Sequence, residues 1–251
     1  MRHAGRDLLS LALMDARNHT LYLLALYEKA LDATKIESND AAQVVSPVWL
    51  GGHAGWFSEF WIARNTQRGL GRACPHEPTR LGSIEPHADH WWNPQQRAPA
   101  DRWGPELPDL AATRSYMLDT LEGTLELLDK APDEDRALYF YRLALFHEDQ
   151  RGEQLITMAQ TLGVGLPIDA LGGLPLREPL LLPATRWMLG SPDAGFAFDN
   201  EKAVHEVPVP EFEIDAQPVT WAQLVEFVDD GGYDRPELWQ PQGWDWLPAL
   251  S

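Results

Sequence analysis

The sequence predicts a helical domain followed by a smaller domain of short strands and turns. Residues 1–165 contain long segments in which apolar residues recur at steps of three and four, the period of an amphipathic helix. Residues 166–183 are rich in proline and glycine, which is typical of a linker. Residues 184–251 contain short runs with a period of two, as in β-strands. We therefore expect a multi-domain chain: a four-helix bundle at 1–165, a linker at 166–183 and a mixed α/β domain at 184–251.

Four segments of the first region carry helical patterns, two of them with clear end signals. Ser46 and Pro47 are typical N-cap and first-turn residues. Gly163 suits the position just after a helix, where a positive φ is common. The long irregular stretch at 69–108 is of a length that is more often functional than neutral. The predicted helices lie at 7–33, 47–68, 109–130 and 132–162, and two short connections with one long one favour a bundle.

The last region is predicted to form short strands and one helix. Strand-like runs occur at 186–190, 204–209 and 212–214, and a short helix at 220–229. Only about 68 residues remain for this domain, which is few for a mixed fold so rich in glycine and tryptophan. We therefore expect the second domain to be incomplete in this chain.

An excess of carboxylates marks the composition: 38 Asp and Glu against 20 Lys and Arg, for a net charge of −18. Such a protein repels a phosphate backbone and an anionic membrane, so neither nucleic acid nor membrane is expected as a partner. The single cysteine, Cys74, excludes an internal disulfide. The N-terminal residues lack a signal-peptide pattern, and no apolar run reaches ~18 residues. We expect a cytoplasmic protein.

Two histidines on predicted helices are candidate metal ligands. His53 lies on the apolar face of the second helix, where a hydrogen-bonded core histidine is the commoner case. His147 lies on the fourth, but the residue four positions on, which shares its face, is Arg151. Glu148 and Glu153 point away from that face. Spacing alone thus predicts a single metal ligand from the fourth helix. The same residues are equally well interpreted as a charged, solvated end of that helix.

The long loop offers further polar candidates. His87, Asp89 and His90 lie close together in a segment rich in tryptophan, where they could ligate a metal or simply flank packed aromatic rings. Arg97 and Arg102 follow and are suited to binding carboxylates, although solvated surface arginines are the ordinary case.

Several strings resemble two known domain types. The residues at 49–59 resemble the second-helix signature of DinB-type helix bundles, and those at 146–153 resemble their fourth-helix signature. The strings within 198–246 resemble the opening of a formylglycine-generating-enzyme-like, or sulfatase-modifying, domain. That combination is the architecture of the ergothioneine-type sulfoxide synthases and the related selenoneine synthases, and the overall sequence looks closest to the latter.

The resemblance implies a non-haem Fe(II) centre with three histidine ligands, which uses O2 to form a C–S or C–Se bond on the imidazole of hercynine, the trimethylated betaine of histidine. Carried over, His53 and His147 match two metal ligands, and Gln150 matches a glutamine that contacts the hercynine imidazole. Arg97 and Arg102 fall where the family places arginines that bind the donor's carboxylates. No catalytic residue is assigned.

The third ligand position is occupied by Arg151, which departs from the family pattern. A guanidinium stays protonated and has no lone pair to donate to a metal. The expected function is that of a selenoneine synthase, with hercynine, a seleno- or thio-sugar or thiol donor, and O2 as substrates. Two alternatives remain open: an ergothioneine-type sulfoxide synthase that uses a cysteine-derived thiol, or a metal-poor betaine-binding homologue without catalysis.

Overall fold

The structure, a computed structural model, describes residues 1–31, 44–167 and 177–247. Contacts divide the chain into two compact units. The first, here called the helical unit, is Met1–Asp169 with Gly190–Val204, and the second, the mixed unit, is Ala170–Leu189 with His205–Ser251. The predicted end of the first helix at 33 and half of the predicted linker lie outside the described residues.

The helical unit contains four long helices that correspond to the four predicted segments. The described residues of this unit form the helices α1 (Arg6–Leu31), α2 (Pro47–Ser58), α3 (Ala88–Trp92), α4 (Leu110–Asp129) and α5 (Asp135–Thr161). Helices α1 and α5 pack together, as do α2 and α4, and α2 also contacts α5. The short helix α3 lies in the long loop and packs against α2.

Local capping explains where these helices begin and end. The Ser46 side chain accepts a hydrogen bond from the Trp49 backbone N–H, with Pro47 in the first turn, as predicted. Asp109 caps α4 in the same way. After α5, Gly163 adopts a φ of 64°, a conformation that glycine enters without steric cost.

The second predicted helix ends earlier than the sequence suggested. Its last turn, Glu59–Ala63, is π-helical, and the Arg64 N–H donates to the Glu59 carbonyl at 2.9 Å. The chain then leaves the helix because its backbone pairs with the loop: Asn65 forms an isolated bridge with Arg80. The predicted end at residue 68 is therefore wrong by about one turn.

The described residues of the mixed unit form two antiparallel strand pairs and two short α-helices. Strand β1 (Leu180–Leu182) pairs with β4 (Phe212–Ile214), and β2 (Thr185–Leu189) pairs with β3 (His205–Val209). Helix α6 (Trp221–Asp229) lies in the segment predicted to be helical at 220–229, and the Thr220 side chain caps it. Helix α7 spans Pro241–Trp246.

The compact units differ in detail from the predicted domain boundaries, which stay predictions. Strand β1 lies within the residues expected to form the linker. The segment 190–204 packs with the helical unit: Arg2 donates to both carboxylate oxygens of Glu201, at 2.6 and 2.7 Å, and Phe196 stacks on Phe146.

Within the described ranges, no helix combines the length and the apolar composition needed to cross a membrane.

A buried ion pair connects three of the long helices. Arg17 of α1 and Glu148 of α5 are 1% and 3% exposed, and they form two parallel hydrogen bonds of 2.6 and 2.9 Å. The remaining arm of the Arg17 guanidinium donates to the Met117 carbonyl of α4. A bidentate pair of this kind fixes the relative rotation of the helices that carry it.

We expect Arg17→Met to lower the free energy of unfolding by about 3–5 kcal/mol, because it leaves the Glu148 carboxylate buried without a counter-charge. The double variant Arg17→Met/Glu148→Met removes both charges and should recover most of that loss. Urea denaturation of the two variants and the parent protein measures the difference. Equal losses in the single and double variants would contradict this account of the pair.

Candidate functional site

His53 lies on α2 inside a stack of aromatic rings. It is 5% exposed, and its ring centroid lies 4.7 Å from that of Trp49 and 5.5 Å from that of Trp56. Its Nδ1 lies 2.9 Å from the Trp92 carbonyl oxygen. Because a carbonyl only accepts hydrogen bonds, this contact selects the tautomer with the proton on Nδ1 and leaves a lone pair on Nε2.

His147 of α5 faces His53. The two ring centroids are 4.9 Å apart with the rings inclined at 69°, and His147 stacks flat on Phe57 at 3.7 Å. Its Nδ1 is buried and has no hydrogen-bond partner among the described residues. The structure therefore brings together the two histidines predicted as ligands.

Burial keeps both imidazoles neutral. Desolvation is the main cause that lowers the pKa of His53 from 6.5 to about 4, with smaller contributions from the positive charges of Arg151 and Arg102. Desolvation likewise lowers the pKa of His147 to about 2, assisted by His53 and Arg151. A neutral imidazole is the form that binds a metal or accepts a hydrogen bond.

Two guanidinium groups flank the histidine pair. Arg151 follows His147 by one helical turn on the same face of α5 and is half-buried. Arg102 lies in the loop with its Cζ 4.0 Å from the Trp49 ring centroid. Within the part of the chain that the structure describes, the Nε atoms of both arginines are buried without a hydrogen-bond partner.

A three-histidine iron site is not complete in the described residues. His53 and His147 suit two ligand positions, since each is neutral and has a ring nitrogen that no residue in the described part of the chain engages. The third position carries the Arg151 guanidinium, which cannot donate a lone pair. Across residues 1–31, 44–167 and 177–247, no group of three His, Cys, Asp or Glu side chains is arranged to hold a metal.

The loop residues considered as substitute ligands lie elsewhere. Both Asp89 oxygens accept from the Arg64 guanidinium, at 2.7 and 2.8 Å, and one also accepts from the Trp56 indole. His87 and His90 are largely exposed and lie beside glutamates of the loop. The structure therefore brings none of the three to the histidine pair.

The predicted substrate-binding residues fall in three different settings. Arg97 is buried and donates to the Asp101 carbonyl and to Glu106, so its guanidinium braces the loop. Arg102 lies near the histidine pair, as described above. Gln150 is exposed on α5, three residues after His147. Substrate contacts of all three stay predictions.

The residues that position His53 were not singled out from the sequence. The Trp92 indole fills the space that a side chain at Gly52 would need: a Cβ there would lie 2.0 Å from the Trp92 Nε1. The close approach brings the Trp92 carbonyl to the imidazole of His53. The signal was present, because Gly51 and Gly52 directly precede His53 in an otherwise good helical segment.

Glu59 fastens the start of the loop to the helices. Its buried carboxylate accepts from the Tyr116 hydroxyl at 2.6 Å, the Ser83 hydroxyl at 2.7 Å and the Ile84 backbone N–H at 2.7 Å. Burial, together with the Glu59 charge, raises the pKa of Tyr116 above its usual range. Tyr116 in turn stacks on Trp92, so this network supports the loop that holds His53.

We expect Gly52→Ala to lower the free energy of unfolding by about 1–3 kcal/mol, because the added methyl group forces the Trp92 ring out of its site. The matched control is Gly123→Ala on α4, where a Cβ meets no atom within 4 Å. That variant should gain about 0.5–1 kcal/mol from the removal of a helical glycine. Chemical denaturation followed by tryptophan fluorescence measures both changes, and equal signs would contradict the packing described.

The buried histidines also predict a pH dependence of stability. A group whose pKa is lower in the folded than in the unfolded state favours unfolding on acidification, so the stability present above pH 6.5 is lost as the pH falls toward about 4. We expect the free energy of unfolding to fall by up to about 1.4 kcal/mol per pH unit for each such histidine. His147→Gln removes one of these imidazoles, so the slope should fall by the contribution of one proton, about 1.4 kcal/mol per pH unit.

Urea denaturation between pH 5 and 7.5 measures that slope. The exposed His76 supplies a control variant, His76→Gln, that removes an imidazole from the surface. A slope unchanged by His147→Gln would show that this imidazole is not kept neutral by the fold.

Comparison with known proteins finds one matching domain family and three similar relatives. Residues 175–249 match the sulfatase-modifying factor enzyme 1-like domain. The hercynine oxygenase of Mycolicibacterium smegmatis is 31% identical over 251 residues, covering 96% of this chain and 54% of the relative. That of Mycolicibacterium thermoresistibile is 30% identical over 242 residues, covering 92% and 50%, and that of Mycobacterium tuberculosis 28% over 211 residues, covering 80% and 47%.

The chain spans about half the length of the curated relatives it matches. The similarity extends over both the helical unit and the mixed unit, in agreement with the two resemblances found in the sequence. The chain is therefore a homologue of the hercynine oxygenases that carries a sulfatase-modifying-factor-like region at 175–249.

Proposed function

We propose that the protein acts on the imidazole of hercynine and contributes to the formation of a C–Se or C–S bond there. The observation that carries the proposal is the pair of neutral, facing histidines, His53 and His147, in a chain homologous to proteins named hercynine oxygenase. Gln150, one turn along from His147, is proposed to contact the substrate imidazole.

The surroundings of the histidine pair suit a betaine. Trp49, Trp56 and Phe57 lie against the two imidazoles. Aromatic faces attract a quaternary ammonium group through the negative charge density of the ring. The net charge of −18 also favours the approach of a ligand that carries a fixed positive charge.

Fe(II) is the proposed cofactor, with His53 and His147 as two of its ligands. When bound there, iron would supply the binding and activation of O2. The chain's own contribution is to present two neutral imidazoles: the Trp92 carbonyl fixes the tautomer of His53, and Phe57 fixes the ring plane of His147. Within residues 1–31, 44–167 and 177–247, no third ligand for the iron is identified.

The donor is proposed to be a seleno- or thio-sugar or a thiol. The resemblance to selenoneine synthase favours selenium, whereas the names of the relatives suit the ergothioneine-type alternative, in which a cysteine-derived thiol is the donor.

A second candidate function is favoured by Arg151. Its positive charge lies near both histidines, with that of Arg102 nearby, and two guanidiniums oppose the binding of a dication. A metal-poor homologue that binds a betaine without catalysis would have this arrangement.

Anaerobic Fe(II) titration of the full chain, with and without hercynine, distinguishes the two candidates. We expect near-stoichiometric iron in the parent protein and none in His53→Ala. Arg151→His should raise the iron affinity by at least about tenfold, because it adds an imidazole one turn from His147 and removes a repelling charge. The matched control is Arg136→His on the exposed part of the same helix.

Each outcome assigns a function. Absence of iron from the parent protein together with hercynine binding would favour the metal-poor candidate, and more so if Arg151→His acquires iron. Absence of hercynine binding with iron present or absent would show that the proposed substrate is wrong.

A further inference from the structure

Arg102 and Arg151 differ from the buried arginines of the helical unit. Each of the buried arginines donates to a carboxylate and to a backbone carbonyl of the described chain; they are Arg17, Arg64, Arg97 and Arg142. Arg102 and Arg151, by contrast, make no ion pair and no hydrogen bond to any residue in the described ranges, and both keep a buried Nε without a partner.

The two unpaired guanidiniums converge on one place. Arg151 shares a face of α5 with His147. Arg102 lies over Trp49, and Trp49 stacks on His53, so the loop brings a second positive charge close to the same histidine pair. The positive charge of Arg102 contributes, after burial, to lowering the pKa of Arg151, which agrees with their proximity.

This arrangement is costly unless something neutralises it. Two like charges oppose each other, and a buried N–H without an acceptor destabilises the folded state. The imidazoles beside them are neutral and cannot compensate. A carboxylate can, because its two oxygens accept from the Nε and a terminal nitrogen of one guanidinium in parallel, and its charge offsets the repulsion.

We propose that Arg151 is part of a binding site for the carboxylate of a small-molecule ligand, directly beside His53 and His147. Arg102, for which the resemblance already implies a carboxylate contact, supplies the second guanidinium of this site. The place where the resemblance calls for a third metal ligand is thus a position for an anion. The inference rests on the proposed function only for the source of the carboxylate, which hercynine itself carries and which the donor molecule can also carry.

Calorimetric titration of the full chain with two matched compounds tests the site. Hercynine and Nα-trimethylhistamine share the imidazole and the trimethylammonium group, and only hercynine has a carboxylate. We expect the parent protein to prefer hercynine by at least about tenfold. Arg151→Gln should weaken hercynine binding by a similar factor and leave trimethylhistamine binding nearly unchanged, while Arg151→Lys should retain part of the preference. Arg136→Gln, on the same helix, is the control.

Thermal unfolding with acetate, compared with chloride at equal ionic strength, tests the site without a betaine. Acetate should raise the Tm of the parent protein, and Arg151→Gln and Arg102→Gln should abolish that rise. If neither betaine binds and acetate still acts through the two arginines, the carboxylate site stands and the proposed substrate is wrong. If hercynine and trimethylhistamine bind equally well, and acetate still raises the Tm through the two arginines, the carboxylate that binds there belongs to the donor molecule.

Two results together would overturn the inference. The first is that Arg151→Gln and the parent protein bind hercynine equally well, or that neither binds it. The other is an acetate effect no larger than that of chloride. That combination would mean that the two guanidiniums do not bind a carboxylate ligand.

Discussion

The Arg17–Glu148 ion pair sets the geometry on which the candidate site depends. Successive residues of a helix point about 100° apart, so fixing Glu148 toward α1 and α4 turns its neighbour His147 toward α2. His53 lies there on α2, with its imidazole hydrogen-bonded to the Trp92 carbonyl. The Glu148 carboxylate is thus committed to holding the helices together, and the His147 imidazole beside it is the group that faces α2.

Charge distribution inside the helical unit separates two kinds of arginine. Those that brace the fold are matched by acceptors, whereas Arg102 and Arg151 add positive charge beside imidazoles that burial keeps neutral. The protein as a whole is strongly acidic, so the positive potential at this place is local and is made by two side chains. A ligand bound there would lie close to aromatic rings, to two neutral imidazoles and to two guanidinium groups.

Local sequence rules predicted the parts of the fold that local interactions decide. The helical periodicity and the Ser46–Pro47 start were sufficient to identify α2. Its end was not predictable, because it depends on pairing between Asn65 and Arg80, fifteen residues apart. Likewise, spacing could nominate His53 and His147 separately, but only the resemblance paired them, and nothing local indicated that a carbonyl 39 residues later would hold His53.

The contact between Trp92 and His53 has a consequence for how this protein can change over time. The acceptor that selects the imidazole tautomer belongs to the main chain, so no substitution in the loop can delete it. Surface residues of the loop can therefore be substituted while the proton stays on Nδ1 of His53. The vulnerable position is instead Gly52, which has no functional group at all, because any side chain there displaces the indole that carries the carbonyl into place.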